Sequence, residues 1–149
     1  MGLQQRIEED LKSALRAGDR SRVSALRLAL AAIRNAAIEK GRLLEEPDVV
    51  TVLQKQARLY HESITEFAKG NRPDLVAKEE AQLRVVEEYL PQQLSREEIA
   101  TLARRIIAEV GAQGPRDIGK VMPRLLAEAK GRVDGRVANQ VVQEILAKQ

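Results

Sequence analysis

The 149-residue sequence contains a single histidine, no cysteine and few residue combinations that could perform catalysis. His61 is followed by Ser63, but the surrounding pattern predicts a helix, in which residues two apart do not face each other. These two residues therefore form no local Ser-His-Asp arrangement, although a distant partner for His61 stays open at this stage. We interpret His61 as an ordinary residue at a helix surface or boundary.

Adjacent acidic residues include the pairs Glu45-Glu46, Glu79-Glu80, Glu87-Glu88 and Glu97-Glu98. Neighbouring carboxylates on a helix point about 100° apart, and no histidine or cysteine accompanies these pairs as a further metal ligand. We interpret them as solvated helix faces and helix-start charges and expect no metal site. The sequence also lacks a P-loop and a dinucleotide-binding glycine pattern, so we expect no cofactor.

The segment from Gly114 to Arg136 has a different composition, with three acidic residues and two glycine turns among six basic residues: Arg116, Lys120, Arg124, Lys130, Arg132 and Arg136. Glycine lets a backbone approach a bulky partner closely, and the N-terminus of a following helix offers free N–H groups to an anion. The pattern indicates a surface that contacts a phosphate backbone. The same pattern also fits solvent-facing charges around two ordinary helix ends.

Helical periodicity organises the N-terminal part of the chain into four predicted helices. The first covers about residues 3 to 17 and stops at Gly18; the second begins with Ser21 as its N-cap and ends near Gly41. The third begins at Glu46-Pro47-Asp48, and the fourth begins at Pro73 after a Gly70-Asn71 turn. On the fourth helix, Arg84 has the spacing to pair with both Glu80 and Glu88.

Three further helices are predicted after Pro91, which disfavours continuation of the fourth helix. Ser95 and Glu98 have the spacing of a capping box, so the fifth helix is expected from 95 to about 110. The next helix contains Pro123, which predicts a bend or restart there. Asp134 is the expected cap of the last helix. The predicted fold is all-α, with an N-terminal helical bundle over 1–92 and a small C-terminal three-helix domain over 93–149.

Composition sets the class of protein and the expected compartment. Residues 1–92 carry 15 basic and 15 acidic side chains, whereas residues 93–149 carry 10 and 7, so the whole excess charge of +3 lies in the last third. No apolar stretch approaches the ~18 residues needed to span a bilayer, so we expect no membrane association. The N-terminus lacks the apolar run of a signal peptide and cysteine is absent, from which we predict a cytoplasmic protein.

Several segments together resemble the GatB/YqeY family over nearly the whole chain, from about residue 14 to the end. In the C-terminal part these are Asp117-Ile118-Gly119-Lys120-Val121-Met122 and Lys130-Gly131-Arg132-Val133-Asp134-Gly135-Arg136-Val137-Ala138-Asn139. Upstream they include Ala25-Leu26-Arg27, Glu62-Ser63-Ile64, Arg72-Pro73-Asp74-Leu75 and Tyr89-Leu90-Pro91. Two departures from the family pattern are His61, where a basic residue is expected, and Pro123, which interrupts a helix.

The resemblance implies an all-helical protein that is free-standing or forms the tail of the B subunit of the glutamine-dependent aspartyl/glutamyl-tRNA amidotransferase. That tail contacts tRNA, so the implied activity is RNA binding, with no catalytic residue transferred. The implied RNA-contacting residues are Lys120, Lys130, Arg132 and Arg136, with Gly119 and Gly131 allowing close approach and Asn139 as a polar contact. Arg124 joins them because it lies one helical turn from Lys120.

Three functions are consistent with these residues. The first is a non-catalytic tRNA-binding accessory module that contacts phosphates; only three aromatic residues are present, which disfavours recognition by base stacking. The second is a protein-interaction adaptor, for example for an amidotransferase subunit, that docks through the basic segment or the alanine-rich second helix. The third is the carbon-nitrogen ligase activity with glutamine as amido donor that the family suggests, which we do not expect from this chain alone.

Overall fold

The computed structural model describes residues 2–149, which form two compact units that divide between Leu90 and Pro91. Seven α-helices and one short 3-10 turn account for the regular structure of this range, and none of it is a β-strand. The prediction of an all-α fold is confirmed. None of the helices in the described range is long and apolar enough to cross a membrane.

The N-terminal unit contains four helices: α1 (Leu3–Ala17), α2 (Arg20–Lys40), α3 (Glu46–Lys69) and α4 (Pro73–Glu87). The predicted stop after α1 is confirmed, since Gly18 adopts a left-handed conformation with φ of 69°. The predicted cap of α2 is wrong. Asp19, not Ser21, accepts a hydrogen bond from the backbone N–H of Arg22, because the chain enters the helix two residues earlier than expected.

The core of the N-terminal unit is aliphatic, as the near absence of aromatic residues requires. All four helices contribute, and the fully buried side chains include Ile7, Leu26, Ile33, Leu53 and Val49. Tyr60 is also buried, and its hydroxyl donates to Gln82 Oε1 at 2.9 Å, so both buried polar groups are satisfied. The packing leaves one side of α2 exposed to solvent.

One of the two ion pairs predicted on α4 forms, and the other is replaced by a pair with α2. Arg84 lies 4.0 Å from Glu80, as expected, but Glu88 pairs with Arg22 on α2 at 2.6 Å. The prediction that Arg84 pairs with Glu88 is therefore wrong. Glu88 is the C-cap residue of α4. The packing of α2 brings the cation of Arg22 closer to it.

The C-terminal unit contains α5 (Arg96–Val110), the 3-10 turn Pro115–Asp117, α6 (Ile118–Ala129) and α7 (Gly135–Ala147). The predicted capping box is confirmed: Ser95 Oγ accepts from the Glu98 N–H at 3.1 Å, and Glu98 accepts from the Ser95 N–H at 3.0 Å. The three helices enclose a second core, in which Ile106, Val121, Leu125 and Leu146 are inaccessible to solvent.

Of the predicted bend or restart near Pro123, the restart is wrong, because α6 runs uninterrupted through this residue. Proline supplies no N–H to the carbonyl four residues earlier, which belongs to Gly119. Pro123 and Gly119 are both exposed, and no other group approaches within 4 Å of the place where a Gly119 side chain would begin. Solvent can therefore replace the missing hydrogen bond, and the helix continues.

Candidate nucleic-acid interface

The turn between α6 and α7 holds three of the predicted RNA-contacting side chains. Lys130 ends α6 in a left-handed conformation, with φ of 48°, and Gly131 follows with φ of 80°. Val133 is buried and anchors the turn to the core. Asp134 then caps α7 by accepting the Arg136 N–H at 2.7 Å, which confirms the predicted cap. Lys130, Arg132 and Arg136 are all exposed in or beside this turn.

Hydrogen bonds attach this turn to the segment that precedes α5. The Leu94 N–H donates to the Arg132 carbonyl at 2.8 Å, and Gln93 Nε2 donates to the Gly131 carbonyl at 3.2 Å. In the opposite direction, Arg132 Nε donates to the Gln92 carbonyl at 2.9 Å. A guanidinium has five N–H donors, so this bond orients Arg132 and leaves donors for a phosphate.

Arg124 on α6 belongs to an ion-pair network that connects α6 to α5. Its guanidinium contacts the Glu109 carboxylate, and Arg105 contacts both Glu109, at 3.0 Å, and Glu128. All four side chains are partly exposed, so each pair contributes modestly to stability. Arg124 is thus paired with a carboxylate, which reduces the positive potential that it offers to an anion.

Lys120 has a weaker local partner. Its Nζ lies 3.6 Å from Asp117 Oδ1. The pKa of Asp117 is lowered, mainly because its carboxylate accepts the Gln113 N–H at 2.8 Å and secondarily because Lys120 is near. Asp117 remains ionised under ordinary conditions and neutralises part of the Lys120 charge.

The remaining predicted site residues differ in how accessible they are. Gly119 is exposed on α6, Gly131 lies in the turn with a positive φ, and Asn139 is half-buried on α7. A side chain at Gly119 would meet no atom within 4 Å, so close approach of a partner there is sterically free. Lys130, by contrast, has neither an ion pair nor a side-chain hydrogen bond with any residue of 2–149.

Two grooves border the helices of the C-terminal unit, and neither is uniformly basic. One, with a volume of about 750 Å³, lies between α5 and α6, where Glu97, Glu98 and Glu128 face Arg105 and Arg132. The other, of about 440 Å³, lies between α5 and α7, where the charged lining residues are Arg96, Glu97, Arg104, Glu144 and Lys148. The turn is therefore a better candidate for phosphate contact than either groove.

Sequence reasoning missed Arg104 and Lys148, which line the second groove without an ion pair to another residue of 2–149. Each is an isolated basic residue within a helix, so no local pattern distinguished it from a solvent-facing charge. His61 is exposed on α3, as predicted. Across residues 2–149, no three His, Cys, Asp or Glu side chains form a group that could hold a metal ion.

The chain is thus an all-helical protein of two units, with an exposed basic turn anchored in the C-terminal unit. Residues 4–146 match the family described as Yqey-like protein. The chain therefore belongs to the YqeY-like family. The predicted YqeY part of the resemblance is confirmed, and the kinship with the tail of an amidotransferase subunit stays a prediction.

Curated relatives share the name Altered inheritance of mitochondria protein 41, mitochondrial. The relative from Pyrenophora tritici-repentis is 31% identical over 144 residues, which cover 95% of this chain and 79% of the relative. The relative from Lachancea thermotolerans is 32% identical over 73% of this chain and 60% of its own length. The Saccharomyces cerevisiae relative is 34% identical over 58% of this chain, and the match spans about half of the yeast protein, 47%.

These names correct the predicted compartment. The prediction of a cytoplasmic protein is wrong, because the matching relatives are named as mitochondrial proteins. The lack of a secretory signal is evidence only against export, and a reducing environment is not unique to the cytoplasm, so neither feature excluded another compartment.

Proposed function

We propose that this YqeY-like protein is a non-catalytic accessory module that binds tRNA through the turn between α6 and α7. The observation that carries the proposal is the anchoring of this turn. Hydrogen bonds from the Leu94 backbone N–H and the Gln93 side-chain amide, together with the buried Val133, hold the turn in place, while Lys130, Arg132 and Arg136 are exposed. Cations on a pre-positioned backbone bind phosphate with little loss of conformational entropy.

The charge distribution supports an RNA partner over a small anion. The C-terminal unit carries all of the chain's net positive charge, and Arg116 adds an exposed cation in the 3-10 turn before α6. Several cations spread over one small unit match a partner with repeated phosphates. Contacts of this kind recognise the shape of a folded RNA and weaken as salt rises, because counterions are released on binding.

The test is the binding of unfractionated tRNA to the full chain over a series of salt concentrations. The triple variant Lys130→Ala, Arg132→Ala, Arg136→Ala should bind more weakly, and its affinity should depend less steeply on salt. The matched control is Lys12→Ala, Lys55→Ala, Lys78→Ala, which removes three exposed lysines from the N-terminal unit and should bind like the parent protein. Equal binding by the parent and the first variant would remove this site assignment.

The non-catalytic part of the proposal has its own test. If the purified chain released glutamate from glutamine, the third function considered above would replace the proposed one. We expect no turnover, because we identify no nucleophile for releasing ammonia and no nucleotide-binding motif in the sequence.

A further inference from the structure

The exposed side of α2 carries a row of three arginines. Arg20, Arg27 and Arg34 are each seven residues apart, which is almost two helical turns, so their side chains lie along one line at intervals of about 10.5 Å. All three are exposed. The opposite side of α2 faces the core through Leu26, Ala29 and other buried residues.

These arginines contribute little to the stability of the unit. Within residues 2–149, none of the three forms an ion pair or a side-chain hydrogen bond, whereas Arg22 on the same helix pairs with Glu88. Arg20 also lies in the first turn of α2, where the helix dipole disfavours a positive charge. The fold of the N-terminal unit therefore does not account for the row of three arginines.

A seam of small and apolar residues runs beside the arginine row. Ser24, Leu28, Ala31, Asn35 and Ile38 are all exposed, and they are spaced alternately four and three residues apart. This is the spacing of the contact positions on a helix that packs along another helix, and Arg27 and Arg34 occupy the flanking positions that select a partner by charge. The seam exposes two large apolar side chains to solvent, with 52% of Leu28 and 76% of Ile38 exposed.

The structure also provides space beside the seam for an inserted side chain. Leu28 and the exposed Leu59 of α3 line a shallow groove of about 150 Å³ together with Tyr60. Glu79 lines the same groove and so places a negative charge on that side of the seam. The exposed face of α2 thus has a positive flank along the arginine row and an acidic residue near its other flank.

We propose that the seam and arginine row of α2 bind an amphipathic α-helix of a partner protein, whose acidic residues lie along the arginines. Charge complementarity selects this partner over a second copy of the chain, because antiparallel pairing of two α2 helices would bring the two arginine rows together. The exposed Leu28 and Ile38 select it over RNA, because apolar side chains gain little from phosphates. Small residues such as Ala31 allow the two helices to approach closely.

The experiment measures binding of the full chain to two helix-stapled amphipathic peptides. Both have a leucine seam, and they differ only in bearing glutamate or lysine along one flank. The acidic peptide should bind about tenfold more tightly than the basic one, as expected for a few exposed ion pairs. Arg20→Ala, Arg27→Ala, Arg34→Ala should lose that advantage, and the triple lysine variant described above should keep it. Alanine favours helix, so the arginine variant should stay folded, and circular dichroism checks this.

A second variant separates the helix partner from RNA. Leu28→Gln, Ile38→Gln keeps every charge on α2 and should abolish peptide binding while leaving tRNA binding unchanged. The proposal is overturned if neither peptide binds or if both bind equally. It is also overturned if the arginine variant loses tRNA binding while the Leu28 and Ile38 variant keeps its affinity for the acidic peptide. The tRNA site in the C-terminal unit is tested by different residues, so either proposal can fail alone.

Discussion

Arg22 and Glu88 lie 66 residues apart in the chain, and their side chains meet, with Arg22 Nη1 and Glu88 Oε2 separated by 2.6 Å. Arg22 also donates to the Tyr89 hydroxyl at 3.3 Å, and that hydroxyl in turn donates to Asp10 of α1. The guanidinium of Arg6 lies 5.0 Å from the centre of the Tyr89 ring. These contacts join α1 and α2 to the end of α4, next to the last residue of the N-terminal unit.

Replacing Arg22 by Met should lower the free energy of unfolding of the N-terminal unit by about 1 kcal/mol, the usual net value of a partly exposed charged hydrogen bond. Methionine keeps much of the aliphatic stem and the helix propensity, so the loss reports on the guanidinium. Urea denaturation followed by circular dichroism measures it. Arg84→Met is the control, since Arg84 is 77% exposed and 4.0 Å from Glu80. Equal losses in the two variants would show that the contacts of Arg22 add nothing.

Stability should fall in alkali because of the buried Tyr60. Burial raises the pKa of Tyr60 from 10.0 to about 12, with the charge of Glu79 as a second cause. The unfolded chain releases the phenol proton at lower pH than the folded chain, so this contribution is complete below pH 10 and is lost as pH rises towards 12. Burial and the hydrogen bond to Asp10 raise the pKa of Tyr89 as well, so both tyrosines act in the same direction.

The Tyr60→Phe variant tests this pH dependence. It lacks the phenol, so its stability should decline less steeply above pH 10 than that of the parent protein. At neutral pH it should be less stable, since Gln82 loses its buried partner. Urea midpoints measured at intervals from neutral pH to pH 12 give both results. Parallel curves for the two proteins would contradict the assignment.

Removal of the capping box should destabilise the start of α5. Ser95→Ala leaves the Glu98 N–H without its acceptor and should cost about 1 kcal/mol, as N-cap replacements commonly do. Amide hydrogen exchange in the full chain should show faster exchange in the first turn of α5. Ser95→Asp, which can still accept the hydrogen bond, should restore protection, and exchange unchanged by alanine would be the contrary result.

The same capping box should weaken in acid. The hydrogen bond from the Ser95 backbone lowers the pKa of Glu98 from its ordinary value of 4.5. The Glu98 carboxylate therefore stays ionised to a lower pH in the folded state than in the unfolded state. Its stabilising contribution is present above pH 4.5 and is lost as pH falls through the lowered pKa. Glu98→Gln should reduce this part of the acid dependence, which denaturation between pH 3 and pH 6 measures.

Lys130→Gly should separate the stability of the turn from RNA binding. Lys130 has a positive φ of 48°, which costs a side-chain-bearing residue about 1 kcal/mol and costs glycine little. The variant should therefore unfold at equal or higher urea concentration and yet bind tRNA more weakly, because one exposed cation is lost. Lys130→Arg is the control for charge. A glycine variant with undiminished tRNA affinity would show that Lys130 does not contact RNA.

Local pattern and composition were enough to predict the all-α class, the ends of several helices and the location of the excess charge. Gly18, Ser95 with Glu98, and Asp134 were identified correctly because capping involves residues within one helical turn. The restart predicted at Pro123 was wrong, since the effect of a proline on a helix depends on whether solvent can reach the carbonyl four residues earlier, here that of Gly119.

Which charges are paired depends on how the helices pack in three dimensions. Glu88 meets Arg22, and Arg124 meets Glu109, through the packing of one helix against another. The same packing leaves Arg20, Arg27 and Arg34 without partners in the described chain, although their regular spacing was readable from the start. Charge pairing between helices depends on their mutual orientation, which long-range burial of apolar side chains sets and local pattern does not encode.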